Sequence, residues 1–240
     1  MESVNRIRIG AKFIHNHIVS KVVNFNIYED EVFIRGRELG YQQEYFGLSL
    51  PISNNKQINI EFLAPEAKIL AIVGPSGTGK STLEKKLMKK HGDLFHKLPQ
   101  VTTRPKRDDN DPYMFIQWET YLKYFKDFLI ARIGILDVNT HYGNLYGTVP
   151  DFKKGYINTV VVAEEGLLDL YESIEENRVD AEVFVLGLDI KPAVKREGRD
   201  ESFIQKERRV LKFANYIYES DDFITEDEVI KILSLHEFIW

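Results

Sequence analysis

The sequence predicts a parallel α/β core, its sheet flanked by helices, preceded by a small β-rich module. Three observations carry this reading. From Lys68 onward, short apolar runs of strand character alternate with helical stretches, the pattern of a parallel sheet. One of those runs leads directly into a glycine-rich turn, Gly74 to Ser81, that opens a helix. Before residue 66 the pattern is different: period-two alternation rich in β-branched and aromatic residues.

Within residues 1–65, Val22 to Tyr28 alternates as a strand, and Glu29-Asp30-Glu31 can turn it into a second run, Val32 to Arg35. A further run, Ile58 to Leu63, stops at Pro65, and the polar patch Ser53-Asn54-Asn55-Lys56 reads as a surface turn. Residues 66–240 form the second unit. Ile69 to Val73 is a buried strand by composition. The spacing then predicts a helix near 80–91, with Leu83, Leu87 and Met88 on one face. Further strands are expected at 128–133, 159–163 and 182–188. Tyr121 and Phe125 fit the packing of a helix better than the stacking of a base.

Composition bounds the chemistry. The chain has 240 residues, 43% of them hydrophobic and 29% charged, so a sizeable core is affordable. There is no cysteine, which excludes disulfides, thiolate metal sites and cysteine nucleophiles. No apolar run reaches the roughly 18 residues of a membrane helix, and the first 20 residues lack an apolar signal core. A cytoplasmic location without membrane contact is therefore the expectation. A net charge of -5 argues against bulk nucleic-acid binding while permitting local cationic pockets. His15 and His17, two positions apart with no further ligands nearby in sequence, read as surface residues.

The sharpest motif is Gly74-Pro75-Ser76-Gly77-Thr78-Gly79-Lys80-Ser81, a full match to G-x-x-x-x-G-K-[ST]. Glycines let backbone N–H groups turn toward phosphates where side chains would collide, and the helix start adds partial positive charge. Lys80 can reach the β and γ phosphates, and the Ser81 hydroxyl, next to Thr82, can take a place on Mg²⁺. The motif alone establishes only a site for a nucleoside triphosphate.

Downstream residues narrow the choice. Gln100-Val101-Thr102-Thr103-Arg104-Pro105-Lys106-Arg107, then Tyr113, and later Gly143-Asn144-Leu145-Tyr146-Gly147-Thr148, follow in an order that resembles the guanylate kinases over about residues 68–235. The resemblance implies a five-stranded parallel sheet, a small GMP-binding subdomain near 100–148 and a lid near 190–212. It implies that Arg104, Arg107, Tyr113 and Tyr146 hold the acceptor phosphate. Gln100, Asp137 and Thr148 would lie around the guanine. A carboxylate at 137 can accept from the ring N–H and the exocyclic amine together, a donor pair that adenine lacks. Lid arginines map to Arg199 and to Arg208 or its neighbour Arg209, and a contact near adenine maps to Thr225. The Asp-x-Asp that ends the family's strand is replaced by Val161-Val162-Ala163, so Glu164 or Glu165 is the acid left to serve the Mg²⁺ region, or both simply begin a helix.

The implied activity is phosphoryl transfer from Mg-ATP to a nucleoside monophosphate, GMP or dGMP, catalysed through Lys80, Arg104, Arg199 and Arg208. Two alternatives stand. One is a related kinase with another phosphorylated acceptor: a modified nucleotide, a sugar phosphate or a nucleotide in DNA. The other is a non-catalytic binding module. Residues 1–65 have no counterpart in the compact family core and are free to engage a protein partner or a second copy.

Overall fold

The computed structural model describes residues 2–15, 18–39, 45–53, 56–106, 109, 111–136, 143–176, 178–190 and 201–239. The first part is an antiparallel sheet. A two-residue pairing joins β1 (Glu2–Ser3) to β6 (Gln57–Ile58). The main strands are β2 (Lys12–His15), β3 (Ile18–Ile27), β4 (Glu31–Glu38), β5 (Tyr45–Pro51) and β7 (Glu61–Leu63). They lie in the order β5-β4-β3-β2-β7. The alternation read from the sequence is the alternation of faces: in β4, Val32, Ile34 and Gly36 are buried while Glu31, Phe33 and Arg35 are exposed. The run expected over 58–63 is broken in two by Asn59 and Ile60.

A second sheet holds the core. Its strands are β8 (Ala67–Val73), β9 (Phe95–Lys97), β14 (Ile157–Val161), β15 (Ala181–Ile190) and β16 (Tyr216–Ser220). They run in the order β16-β15-β8-β14-β9, every pair parallel. The five-stranded parallel sheet expected from the resemblance is thus present. β8 and β15 are apolar almost throughout because both faces are covered. Alternate β8 residues serve opposite layers. Leu70 and Ile72 meet α1 (Lys80–Lys90) and α5 (Glu226–Leu235) through Leu83, Leu87, Ile232 and Leu233. Ile69, Ala71 and Val73 join the cluster of α3 (Glu164–Glu175) through Leu167, Leu170 and Ile174.

A third, smaller sheet follows β9. It comprises β10 (Gln100–Thr102), β11 (Met114–Phe115), β12 (Ile130–Leu136) and β13 (Gly143–Thr148), in the order β11-β10-β13-β12. The strand expected at 128–133 belongs here, antiparallel to β13, not to the core sheet. α2 (Trp118–Tyr124) covers this sheet with Tyr121, which is 1% exposed, whereas Phe125 stays exposed. The last helix to place is α4 (Glu201–Arg208).

The antiparallel N-terminal sheet docks at the amino end of the parallel one. Ile9 O accepts from Val183 N at 3.0 Å, and Arg8 Nε donates to Glu182 at 2.6 Å with both side chains nearly sealed from water. Lys12 pairs with Asp180. Lys21 donates to the carbonyl of Ile174 at 3.1 Å, and Arg37 to that of Glu175, placing cations at the carbonyl-rich end of α3.

Candidate active site

The glycine-rich turn sits at the carboxyl end of β8, the central strand, where open α/β sheets form their sites. Gly74 has φ 139°, and a Cβ there would lie 2.3 Å from the carbonyl oxygen of Leu188 on the neighbouring strand. Only glycine lets the chain leave β8 so close to β15. Thr78 is buried, its hydroxyl donating to Pro75 O at 2.9 Å, which braces the turn from within. Lys80 and Ser81 begin α1, so the hydroxyl and the ammonium arise from its first turn. The Lys80 ammonium donates to the carbonyls of Gly74 and Pro75 at 2.7 and 2.6 Å. Ser81 and Thr82 are exposed. Phe223 lies over the turn, its ring 2.9 Å from where a Cβ on Gly79 would be.

The residues expected to hold the acceptor lie on the small sheet, which begins at the same end of the core. Leu98 N donates to Thr159 O at 3.0 Å, and the Gln100 amide donates to Val161 O at 3.1 Å, tying β10 to the carboxyl end of β14. Gln100 therefore acts here as a tie between sheets. Thr102 and Thr103 anchor the following turn to Leu145, by Oγ1 to O at 2.8 Å and N to Oγ1 at 2.9 Å. Arg104 follows, stacked over the rings of Tyr113 and Phe115 at 5.1 and 5.6 Å, and Tyr113 meets Tyr146 edge to face at 5.6 Å. Thr148 is buried in β13 opposite Gln100. Sequence-distant residues 104, 113 and 146 thus form one cluster.

Asp111 completes that cluster and was not anticipated. Its carboxylate takes both terminal nitrogens of Arg104 at 2.7 Å, with the side chains 6% and 2% exposed. These hydrogen bonds push the guanidinium further up from its ordinary pKa. Arg104 Nε is buried without a hydrogen-bond partner among the described residues, leaving its N–H to satisfy. The acid seven residues after Arg104 was the only available signal.

Three other expected site residues have partners that give them different local roles. Arg208 donates to Asp189 at 3.0 and 2.6 Å rather than to the phosphate turn. The α4 residue that touches the turn is the acid Glu207, whose Oε2 accepts from Ser76 N at 2.7 Å. Glu164 begins α3 and pairs with Lys212 at 3.0 Å. Thr225 caps α5: its hydroxyl and N–H engage Glu228 at 2.7 Å, and Glu228 N returns to the hydroxyl at 3.3 Å. The capping-box spacing Thr-x-x-Glu explains that use. Arg107, Asp137 and Arg199 lie outside the described residues.

A charge pair beneath α1, buried at its acid and part-exposed at its lysine, also escaped sequence reading. Glu84, 1% exposed, accepts from Lys97 at 2.9 Å and from the Thr159 hydroxyl at 3.2 Å. It links the helix that follows the turn to β9 and β14, and so steadies the floor between the two halves of the site.

The family model described as guanylate kinase matches residues 66–155. The guanylate kinase of Schizosaccharomyces pombe is 37% identical over 84 residues, 34% of this chain and 39% of that protein. That of Prochlorococcus marinus is 31% identical over 117 residues, 46% of this chain and 61% of the relative. The chain thus spans between about two fifths and three fifths of the length of these relatives. A crystal structure of guanylate kinase from Anaplasma phagocytophilum superposes with a TM-score of 0.49 at 20% identity, over 74% of this chain and 89% of that one. The segment that carries both the glycine-rich turn and the Arg104–Tyr113–Tyr146 cluster is thus similar to the guanylate kinases.

Proposed function

We propose that the protein transfers a phosphoryl group from Mg-ATP to a nucleoside monophosphate, GMP or dGMP, giving the diphosphate and ADP. The observation that carries the reading is the shared end of the sheet. The phosphate turn leaves β8 there, and the Gln100 tie brings the Arg104–Tyr113–Tyr146 cluster to the carboxyl end of the adjacent β14. In phosphoryl transfer, positioning and charge stabilisation supply most of the catalysis. Lys80, the N–H groups of the turn over residues 74–82 other than Pro75, and the lid arginine Arg199 serve the donor, whereas Arg208 is held by Asp189. Arg104, Arg107, Tyr113 and Tyr146 serve the acceptor phosphate, with Asp137 and Thr148 toward the base and Gln100 holding the two sheets together.

The donor set suits a metal that arrives with ATP. Mg²⁺ keeps water and substrate phosphates as ligands and needs few from protein. Ser81 offers an exposed hydroxyl at the start of α1, while Glu164 is engaged by Lys212. Among the described residues no three His, Asp or Glu side chains form a metal-holding group. When bound, the ion would neutralise phosphate charge; this chain's part is to hold the phosphates in line.

Among the described residues no helix is long and apolar enough to cross a membrane, which suits a cytoplasmic enzyme. Residues 1–65 form the added module, and residues 66–240 the kinase domain. The exposed Ile27, Tyr28 and Phe33 give the module a surface for a protein partner or a second copy.

The test is ADP production from Mg-ATP with GMP, dGMP, AMP, dTMP or no acceptor. Turnover confined to the guanine nucleotides, abolished by Lys80→Ala and weakened mainly in acceptor KM by Arg104→Ala, is the expected result. Equal ADP release with and without every acceptor overturns it.

A further inference from the structure

Glu207 stands next to the last residue of α4, and its carboxylate accepts the N–H of Ser76 at 2.7 Å. That amide belongs to the turn whose N–H groups face nucleotide phosphates in chains with this motif. A carboxylate resembles a phosphate oxygen in the two respects that matter there, negative charge and acceptor geometry. It cannot share the amide with a phosphate, and its charge would repel one.

The placement of Glu207 is fixed by the residues that follow it. The next residue, Arg208, donates through Nε and Nη2 to Asp189 on β15. Asp189 directly follows Leu188, whose carbonyl is the close neighbour of Gly74. Two and three residues beyond Arg208, Val210 and Leu211 are buried in the core, and Leu211 reaches Gly187. The α4 backbone is thereby held beside the turn. In the same arrangement the Lys80 ammonium is directed at the carbonyls of Gly74 and Pro75. Both the amide and the ammonium are thus engaged by the chain's own oxygens.

We propose that Glu207 is an internal latch that competes with the donor phosphates for the turn. The inference rests on the reading of that turn as the ATP site. The Glu207 side chain is only half-buried, so rotation about its own bonds releases the amide without unfolding α4. Nucleotide binding must then include expulsion of this carboxylate, which lowers apparent affinity by the fraction of molecules latched.

The experiment is calorimetric titration of the full chain with Mg-ATP, and separately with inorganic tripolyphosphate. Glu207→Gln keeps size and removes the charge. It is expected to bind both probes more tightly, on the order of tenfold, the scale of one charge-assisted hydrogen bond. Asp189→Asn loosens the Arg208 anchor and should give a smaller gain of the same sign. Measurable binding that is equal in wild type and both variants overturns the latch and leaves the kinase reading intact. Weaker binding by a folded Glu207→Gln protein also overturns it, since the carboxylate would then be aiding the site. Absence of Mg-ATP binding in wild type and Glu207→Gln alike overturns the latch and the kinase reading together.

Discussion

Arg104 meets Asp111 through two 2.7 Å hydrogen bonds in a place almost closed to water. A buried ion pair is costly to assemble but costlier to halve, because the remaining charge has no water to return to. Asp111→Asn keeps the shape and removes the charge. It should therefore lower unfolding free energy by about 3–5 kcal/mol, read from the urea midpoint at unchanged slope. A change under about 1 kcal/mol would mean the pair is solvated, as exposed pairs are. The contrast between these two residues shows what was legible. Arg104 stood inside a spaced motif, so its identity and neighbours Tyr113 and Tyr146 could be named from the sequence. Asp111 was one acid among several, and only the fold chooses which acid a guanidinium meets. The same holds for Glu207. The resemblance pointed to Arg199 and to Arg208 or Arg209 as the groups near the phosphates, whereas the turn of α4 brings the acid preceding Arg208 to Ser76.

At the scale of elements, pattern reading succeeded where one physical cause dominated. β8 and β15 are buried on both faces and read as unbroken apolar runs; α1 read as a helix because the turn and the Leu83–Leu87 spacing agree. β5 was missed because its pattern of half-buried and exposed residues gives weak contrast and ends in Pro51. β12 was found as a strand without its sheet, since partner choice is a property of the fold and not of a strand's own residues. The turn that joins the N-terminal segment to β15 shows how local such constraints become. Gly10 has φ +86°, and a Cβ there would sit 1.8 Å from the backbone oxygen of Ala181. Gly155 has a similar φ of +80° with nothing within 4 Å of that position. Gly155→Ala should therefore cost only the left-handed strain, about 1–2 kcal/mol. Gly10→Ala adds a backbone collision and should cost about 1–3 kcal/mol more. Thermal melts of the two variants side by side separate conformation from contact; equal losses would show that the Ala181 approach relaxes freely.

For the molecule as a whole, the decisive feature is that the N-terminal sheet and the parallel sheet share a charged seam at the end away from the phosphate turn. Arg8 and Lys68 enter it from the two parts, with Glu182 as the common acid and Phe238 beneath both cations at 5.2 and 5.4 Å. Sequence reading could separate the two parts by their periodicity, yet it had no signal for the seam, because each of its charges looks like an ordinary surface residue until the sheets meet. Lys68 is 8% exposed and donates to Phe238 O at 2.9 Å. Burial pulls its pKa from 10.5 down to about 8, an effect that Glu182 offsets only in part. The sign of the consequence follows from proton counting. Between about pH 8 and pH 10.5 the unfolded chain holds a proton on this amine that the folded chain has released. Stability therefore gains from this group as pH rises through that window, and the penalty for burying the charge is present in full below it. Lys68→Met removes the titration while keeping an unbranched chain of similar size. The difference in unfolding free energy, wild type minus variant, should be flat from pH 6 to about pH 7.5 and climb toward about pH 9.5. Taking the difference cancels the other titrating groups, including Lys21, whose pKa burial lowers in the same direction. A flat difference across the whole range would mean that the ammonium keeps its water, and that the two sheets meet more loosely at Lys68 than the Arg8–Glu182 contact implies.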